Sequence, residues 1–258
     1  MSAPDSPPPA KIRLRQVSKS FGDKVVLDRL DFEIYEGDSV VVLGGSGTGK
    51  SVLLKHMIGL LRPDSGTIEV DGVELGGLDG PDLTAFRRRF GMAFQEGALF
   101  DSMTVWENVA FPLKRAKWPR ERIATRVAEC LDAVHLEGAE RKMPAELSGG
   151  MRRRVGFARA IALEPKILLF DEPNTGLDPV LKAVIDELIL ELQGKLDSTA
   201  VTITHDLTSA YKIADRIALL HRGQIVAYAP PAEFRELDDA RVQQFIRGLA
   251  SGPLSESD

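Results

Sequence analysis

The chain has 258 residues, more than the roughly 100–200 of a common single domain, which predicts one large domain or two coupled lobes. Hydrophobic residues make up 43% and charged residues 28% of the chain, so the composition excludes disordered and collagen-like proteins. The formal net charge of −5 gives no support for a nucleic-acid partner, and the single cysteine, Cys130, excludes an internal disulfide and favours a reducing compartment.

The chain begins with a proline-rich segment. Residues 1–10 favour extended chain over helix, and we expect them to form a disordered tail. The segment has neither the basic region nor the apolar core of a secretory signal. No apolar run in the chain approaches the roughly 20 residues needed to span a bilayer. We therefore expect neither a secreted nor a membrane-spanning protein.

Short apolar runs alternate with segments of helical periodicity, a pattern typical of an α/β protein with a largely parallel sheet. Three runs predict buried strands: Val40–Leu43, Ile167–Phe170 and Ala200–Ile203. Apolar side chains spaced three and four residues apart predict helices over Ser51–Leu61 and over residues 181–192.

The middle of the chain differs from both ends. Residues 95–150 have a mainly helical pattern, with the clearest helix over Glu121–Val134, and we expect a helical subdomain inserted into the α/β core. The core domain then spans residues 11–228, ending in a predicted strand over Gln224–Tyr228. Residues 229–258 form a predicted C-terminal helical extension. Its apolar face covers either its own chain or a partner chain and comprises Val242, Phe245, Ile246 and Leu249.

The strongest chemical signal follows the first predicted strand. Residues 44–51 fit the pattern G-x-x-x-x-G-K-[ST] and are followed by a predicted helix. Glycines let successive N–H groups converge on one anion, and the helix N-terminus faces the same phosphates. Lys50 would neutralise β/γ-phosphate oxygens, and the Ser51 hydroxyl would ligate Mg²⁺. The predicted phosphate loop comprises Gly44, Gly45, Ser46, Gly47, Thr48, Gly49, Lys50 and Ser51.

Acidic residues end the second predicted strand. Asp171 and Glu172 lie at its carboxyl end, where α/β proteins place ligand chemistry. Asp171 suits the outer sphere of the metal, and Glu172 is a candidate to polarise the attacking water. His205 follows the third predicted strand and is a candidate sensor of the γ-phosphate, although a histidine after a strand is more often a solvated turn residue.

A second anion site is predicted in the segment Leu147–Gly150. Ser148, Gly149 and Gly150 precede a helical segment, and a helix start leaves N–H groups free to bind an anion. A single chain that holds one nucleotide has no evident use for two such sites. Two copies arranged head to tail do, because each presents its second site to the γ-phosphate held by the other.

Together these motifs resemble the nucleotide-binding subunits of ABC transporters over residues 12–228. The resemblance implies the ABC ATPase fold: a RecA-like P-loop NTPase core with an inserted helical subdomain and an antiparallel β element. It implies that Phe21 stacks on adenine, that Gln95 contacts the metal at the start of the helical lobe, and that His205 is the switch histidine. It makes residues 44–51 the Walker A loop, 147–151 the signature, 167–172 the Walker B strand, and 174–178, with Asp178, the D-loop region.

Two positions depart from the usual pattern of this family. Met151 replaces a common glutamine, and Asn174 stands where Ser or Thr is common; neither change removes a proposed phosphate ligand. Met151 and the segments 94–113 and 245–253 resemble the MlaF-like ATPases of Mla/Mce phospholipid-transport systems. The branch implies a homodimeric MgATP hydrolase at the cytoplasmic face of the inner membrane. It would drive lipid transport through separate permease and Mce-type substrate-binding subunits.

Other interpretations remain open at this stage. The main alternative within transport is the ATPase of an importer for amino acids or another small polar solute. A non-transport ABC ATPase is disfavoured because the chain has one cassette and no sustained heptads. A GTPase is disfavoured because no Asn-Lys-x-Asp motif occurs. Residues 98–100 and 105–106 either dock a permease or form the core of the helical lobe. The basic run 152–154 indicates a solvated helix face or phosphate-proximal charge rather than a lipid site.

Overall fold

The computed structural model describes residues 10–95 and 97–255, which form ten strands, nine α-helices and two short 3₁₀-helices, Leu75–Gly77 and Pro144–Glu146. The strands are β1 (Ala10–Phe21), β2 (Lys24–Tyr35), β3 (Ser39–Leu43), β4 (Ser65–Val70), β5 (Val73–Glu74), β6 (Phe90–Ala93), β7 (Ile167–Asp171), β8 (Thr199–Thr204), β9 (Arg216–His221) and β10 (Gln224–Ala229). The helices are α1 (Lys50–Met57), α2 (Gly80–Arg87), α3 (Val105–Arg115), α4 (Arg120–Asp132), α5 (Gly149–Ile161), α6 (Pro179–Leu196), α7 (Leu207–Ile213), α8 (Pro231–Glu236) and α9 (Ala240–Arg247).

A six-stranded sheet forms the centre, in the order β10-β9-β3-β8-β7-β6. All its pairings are parallel except that of β9 with β10, which is an antiparallel hairpin. Every residue of β3 and β8 is buried, as expected for strands covered on both faces. The three strands predicted from apolar runs are β3, β7 and β8, and they lie side by side, so their carboxyl ends meet at one edge.

A second sheet is antiparallel, in the order β2-β1-β4-β5, and supplies the antiparallel element of the expected fold. Ile12 and Leu14 of β1 point into a core shared with Val40 and Val42 of the central sheet. The long strand β1 changes register between Leu14 and Val17, where Gln16 has a positive φ of 49°. The irregularity interrupts the alternation of buried and exposed side chains.

Helices α3, α4 and α5 pack together in the middle of the chain, and residues 97–148 contain no strand. Helix α3 begins with a capping box in which Thr104 and Glu107 satisfy each other's backbone N–H groups. The preceding loop is fixed by Asn108, which is fully buried and donates to the carbonyls of Phe100, Met103 and Thr104. Val105 is fully buried, whereas Phe100 remains 41% exposed.

The structure shifts some predicted boundaries at the N-terminal side. Ala10 is the first residue of β1 rather than the end of a tail, and residues 1–9 lie outside the described part of the chain. The helix predicted over Ser51–Leu61 ends at Met57. The chain then turns through Gly59, whose φ is +67°, so the last apolar residues of the periodic pattern belong to a turn.

The C-terminal segment packs on its own chain. Val242 in α9 is fully buried in the main core, and Phe245 and Ile246 pack against that core. Leu249 lies beyond the end of α9 and is 52% exposed, so it does not extend the buried face as the periodicity predicts. No helix in the described part of the chain is long and apolar enough to cross a membrane.

The contribution of the core between α5 and β7 to the free energy of unfolding can be measured. Phe157 and Phe170 are each 1% exposed, and their ring centroids lie 5.0 Å apart in an edge-on contact. Phe157→Ala is expected to lower the free energy of unfolding by about 3–5 kcal/mol, because it removes buried apolar surface and leaves a cavity. Chemical denaturation measures the loss. Leu249→Ala, at an exposed position, serves as the control and should change stability by less than about 0.5 kcal/mol.

Candidate active site

The loop between β3 and α1 has a shape that only glycine permits at two of its positions. A Cβ on Gly44 would lie 2.7 Å from the carbonyl oxygen of Leu220. Gly49 has a φ of +102°, and a Cβ there would lie 2.9 Å from Val26 Cγ1. Both contacts are closer than real Cβ atoms allow, so the loop backbone is held tightly against its neighbours. Such a cradle of backbone N–H groups at a helix start is suited to phosphate.

Lys50 places its charge inside this loop. Its Nζ donates to the carbonyl oxygens of Gly44 at 2.8 Å and Gly45 at 2.9 Å, and its side chain is 8% exposed. The same Nζ lies 3.5 Å from Glu172 Oε1. The side chain is thus pre-positioned between the loop and the carboxyl end of β7.

Ser51 and Asp171 meet across the same edge. The Ser51 hydroxyl donates to Asp171 Oδ1 at 3.2 Å. Burial raises the pKa of the Asp171 carboxyl, the hydrogen bond from Ser51 opposes this shift, and the negative charge of Glu172 adds to it. A carboxyl group beside a hydroxyl and near a second acid is a donor set suited to a hard cation such as Mg²⁺.

Glu172 is held by three hydrogen-bond contacts, one from its own loop and two from the end of β8 and the residues that follow it. Its backbone has a positive φ of 49°, and its N–H donates to the Ile203 carbonyl at 2.9 Å. The Thr175 hydroxyl donates to Glu172 Oε2 at 3.0 Å, and His205 Nδ1 lies 2.9 Å from the same oxygen. A strained backbone held by several contacts is typical of functional sites. With Nδ1 facing a carboxylate, the outer nitrogen Nε2 of His205 is left to contact a ligand.

These groups line a cleft of about 770 Å³. Phe21 lies at its rim, 49% exposed, with Lys19 Nζ 5.6 Å from the centre of its ring. The cleft therefore has an exposed aromatic surface as well as a charged interior. The predicted site residues that line it are Phe21, Ser46, Gly47, Gly49, Lys50, Ser51, Gln95, Glu172 and His205.

Other predicted residues lie away from this cleft. Gly45 and Thr48 face a neighbouring cavity between the loop and the C-terminal segment, and Asp171 lies beneath Ser51. The remaining predicted site residues, in the signature and the D-loop region, are exposed or lie beside exposed positions at the starts of two helices. They are Ser148, Gly149 and Gly150 at α5 and Asp178 at α6.

Those two helix starts are well formed. The Ser148 hydroxyl accepts a hydrogen bond from the N–H of Met151 at 3.2 Å, which caps α5. Asp178 Oδ1 accepts from the N–H groups of Val180 and Leu181 at 2.9 and 3.0 Å, which caps α6. Residues 148–150 and 178 thus present two ordered helix N-termini outside the cleft of their own chain.

Arg153 makes contacts beside the cleft that the sequence did not predict. The sequence predicts a solvated helix face or a phosphate-proximal charge for the run 152–154, but Arg153 is only 7% exposed. Its Nε donates to the carbonyl of Gln95 at 2.7 Å, and its guanidinium also donates to the carbonyl of Thr175. One side chain of α5 therefore holds two cleft-lining loops, the one after β6 and the one after β7. The available signal was its position one turn before the buried Phe157.

Arg159, two turns further along α5, continues the same contact. It donates to the carbonyls of Gly97 and Ala98 at 2.7 and 2.9 Å. The backbones also touch, because a Cβ on Gly156 would lie 2.8 Å from the Cα of Gly97. The chain that leaves the cleft after Gln95 is thereby fixed along the length of α5.

Comparison with known proteins agrees with this geometry. The family model described as ABC transporter matches residues 27–175. The probable ribonucleotide transport ATP-binding protein mkl of Mycobacterium leprae is 41% identical over 248 residues, covering 96% of this chain and 72% of that protein. The intermembrane phospholipid transport system ATP-binding protein MlaF of Escherichia coli K12 is 39% identical over 244 residues, covering 94% of this chain and 91% of MlaF.

Solved structures show the same fold. The cbiO1 protein of Clostridium perfringens, part of the ABC transporter complex cbiONQ, has a TM-score of 0.82 and 28% identity, and the match covers 93% of this chain and 94% of cbiO1. The ATP-binding cassette MJ0796, solved as a dimer bound to ADP and Pi, has a TM-score of 0.77 and 33% identity, and the match covers 85% of this chain and 98% of that one. The chain therefore belongs to the ABC transporter family, as an ATPase with the ABC ATPase fold.

Proposed function

We propose that two copies of this chain hydrolyse MgATP at sites shared between them and drive phospholipid transport through separate membrane subunits. One observation carries the proposal. The phosphate loop, Glu172 and His205 share one cleft, whereas the second anion site at Ser148–Gly150 lies outside it. A head-to-tail pair places the second site of each copy over the cleft of the other, as the dimeric state of the solved cassette MJ0796 supports.

Within the cleft, each side chain has a distinct role in the proposal. Lys50 exchanges its contacts with the loop carbonyls for β/γ-phosphate oxygens, and Phe21 stacks on the adenine. The rest of the loop, Gly44 to Thr48, binds phosphate through its backbone. From the partner, Ser148, Gly149 and Gly150 contact the γ-phosphate through the start of α5, and Asp178 orders the adjoining loop.

The oxygen donors of the cleft suit Mg²⁺. Ser51 and Asp171 already lie within hydrogen-bond distance, and the Gln95 side chain belongs to a loop at the same cleft. We assign Ser51, Gln95 and Asp171 to the metal. Bound there, the metal would neutralise charge on the phosphate oxygens.

Glu172 is proposed as the group that accepts a proton from the attacking water. Its carboxylate is oriented by the Thr175 hydroxyl and by His205, so it does not need to reorganise as the reaction proceeds. His205, with Nδ1 turned towards Glu172, directs Nε2 towards the γ-phosphate. Hydrolysis removes the ligand shared by two copies, which lets the paired surfaces separate.

The phospholipid cargo is inferred from the relatives. MlaF matches over nearly the whole of both chains, and the segments 94–113 and 245–253 resemble the MlaF-like branch. The mkl relatives carry a ribonucleotide-transport name, but the match covers only 72% of the M. leprae protein, against 91% of MlaF. The proposed partners are integral-membrane permease subunits and Mce-type substrate-binding subunits. The chain would lie at the cytoplasmic face of the inner membrane.

We propose that residues 11–228 form one ATPase domain, in which residues 95–150 are a helical subdomain. We assign the permease contact to the region of this subdomain around Phe100. Phe100 is 41% exposed, and its ring packs 4.8 Å from that of Phe111. Val105 is buried and belongs to the core of the lobe, and Leu99 and Trp106 pack partly against it. The exposed aromatic edge is next to the loop that leaves the cleft, so docking there communicates with Gln95.

Glu172→Gln is expected to lower ATP turnover by about 10²-fold or more, because a positioned base typically supplies 10²–10⁴. ATP affinity should stay within threefold, since the amide keeps the shape of the side chain. Phosphate release from the purified transporter complex and binding of a fluorescent ATP analogue measure the two quantities. Glu187→Gln on the surface of α6 is the matched control. Near-normal turnover of the Glu172 variant would reject its role.

Complementation tests the shared site. Lys50→Ala removes a phosphate countercharge and should weaken ATP binding about 10–100-fold, while Ser148→Arg blocks the second anion site and should leave binding in its own cleft intact. A complex that contains two copies of the same variant should be inactive in either case. A complex purified through different tags on the two variants contains one intact shared site and should regain up to about half of wild-type turnover. If the mixed complex stays inactive while each variant remains folded and assembled, the head-to-tail arrangement is wrong.

The cargo is tested by native mass spectrometry of the intact complex. We expect both permease and substrate-binding subunits and a bound phospholipid that is released when ATP is added. A complex that retains no lipid but binds an amino acid or another small polar solute would favour the importer alternative. ATP against GTP turnover on the same sample separates an ATPase from a GTPase.

A further inference from the structure

A buried polar cluster lies behind the active site and is not part of the cleft lining. Asn174, Asp186 and Ser209 are 2%, 3% and 2% exposed. They come from three different segments: the loop after β7, the middle of α6 and the first turns of α7. Polar side chains removed from water in this way are costly unless they bond to one another.

The three side chains bond to one another, and of their polar atoms in this cluster only Asn174 Oδ1 has no hydrogen-bond partner among the described residues. Asn174 Nδ2 donates to Asp186 Oδ1 at 2.5 Å and to Ser209 Oγ at 2.8 Å. The Ser209 hydroxyl in turn donates to Asp186 Oδ2 at 3.1 Å. Both carboxylate oxygens of Asp186 thus have a donor. Burial raises the pKa of this carboxyl, and the hydrogen bonds from Asn174 and Ser209 oppose the shift.

Each end of the cluster is joined to a catalytic candidate. On one side, Asn174 is two residues after Glu172 and directly precedes Thr175, whose hydroxyl donates to the Glu172 carboxylate. The cluster therefore fixes the base of the turn that orients this carboxylate.

The other side of the cluster leads to His205. Ser209 lies in α7, and its N–H donates to Asp206 Oδ1 at 3.2 Å, directly after His205. Asp206 also forms an ion pair of 2.5 Å with Lys182 of α6, the helix that carries Asp186. The segments bearing Glu172 and His205 are thus tied to the same helix.

We infer that Asn174 is a positioning residue, which through Asp186 and Ser209 holds Glu172 and His205 within hydrogen-bond reach of each other. The inference rests on the proposed roles of Glu172 and His205. It gives a physical reason for the amide at position 174, where the family commonly has Ser or Thr: a hydroxyl has one hydrogen to donate, whereas the amide has two, one for the carboxylate and one for the Ser209 hydroxyl.

The test exchanges the two functional groups. Asn174→Asp places a second carboxyl group beside Asp186 and removes the donor, so ATP turnover per bound nucleotide should fall at least about tenfold. The affinity for a fluorescent ATP analogue should stay within threefold, because no cleft residue changes. Adding Asp186→Asn restores one amide and one carboxylate, and turnover should return to within threefold of wild type.

Single variants provide the controls. Asp186→Asn alone should be mild, because its amide oxygen still accepts from Asn174 and its NH₂ group can donate to Ser209. Ser209→Ala removes one link and should lower turnover about three- to tenfold, whereas Thr208→Ala at the exposed neighbouring position should change nothing. The serine variant keeps the test valid if Asn174→Asp does not fold.

Normal turnover per bound nucleotide in Asn174→Asp or in Ser209→Ala would overturn the inference. So would a third result: Asn174→Asp folds, binds nucleotide and is slow, but adding Asp186→Asn does not restore its turnover. Thermal unfolding and nucleotide titration of each complex correct the rates for the folded fraction. Glu172→Gln is measured in parallel. If that variant is slow while the Asn174 and Ser209 variants are normal, the positioning role fails and the proposed function stands; if Glu172→Gln is itself active, the proposed function fails.

Discussion

The parallel pairing of β3, β8 and β7 is the constraint on which the active site depends. Leu43 pairs with Thr204, and Asp171 pairs with Ile203, so the three strands end at nearly the same level. Each strand then releases a loop at the same edge of the sheet, and these loops carry the phosphate loop, the acids and His205. Two pairs of side chains more than 100 residues apart in sequence thereby come together: Ser51 with Asp171 at 3.2 Å and Lys50 with Glu172 at 3.5 Å.

Electrostatics at this edge is closely balanced. The Lys50 ammonium group is nearly buried and lies between loop carbonyls and the Glu172 carboxylate. Burial raises the pKa of the Asp171 carboxyl, which accepts a hydrogen bond from Ser51. Removing one member of such a set leaves a desolvated charge without its partner, which costs more than the pair contributes when intact. The residues of the site therefore depend on one another. The glycines leave room for the neighbouring backbone, the Ser51 hydroxyl bonds to Asp171, and the Lys50 charge is paired with Glu172.

Much of this arrangement could be predicted from the sequence, because apolar runs next to chemically distinctive residues mark strand ends. The four-stranded sheet was harder to locate. In β1 the bulge at Gln16 breaks the alternation between Leu14 and Val17, so no simple period-two pattern survives. The buried Arg153 was missed for another reason: three successive arginines resemble a solvated surface, and only the three-dimensional path of the neighbouring loops supplies the carbonyl groups that one of them needs.

The contacts of Arg153 have a mechanical consequence. At about 1.5 Å of rise per residue, the start of α5 at Ser148 and the guanidinium-bearing position lie about 7–8 Å apart along one stiff rod. A displacement of the start of α5 therefore acts, through Arg153, on two main-chain oxygens of cleft-lining residues, one from Gln95 and one from Thr175. The start of α5 and the loops that carry Gln95 and Thr175 thus form one hydrogen-bonded unit, although more than 50 residues of chain separate Gln95 from Arg153.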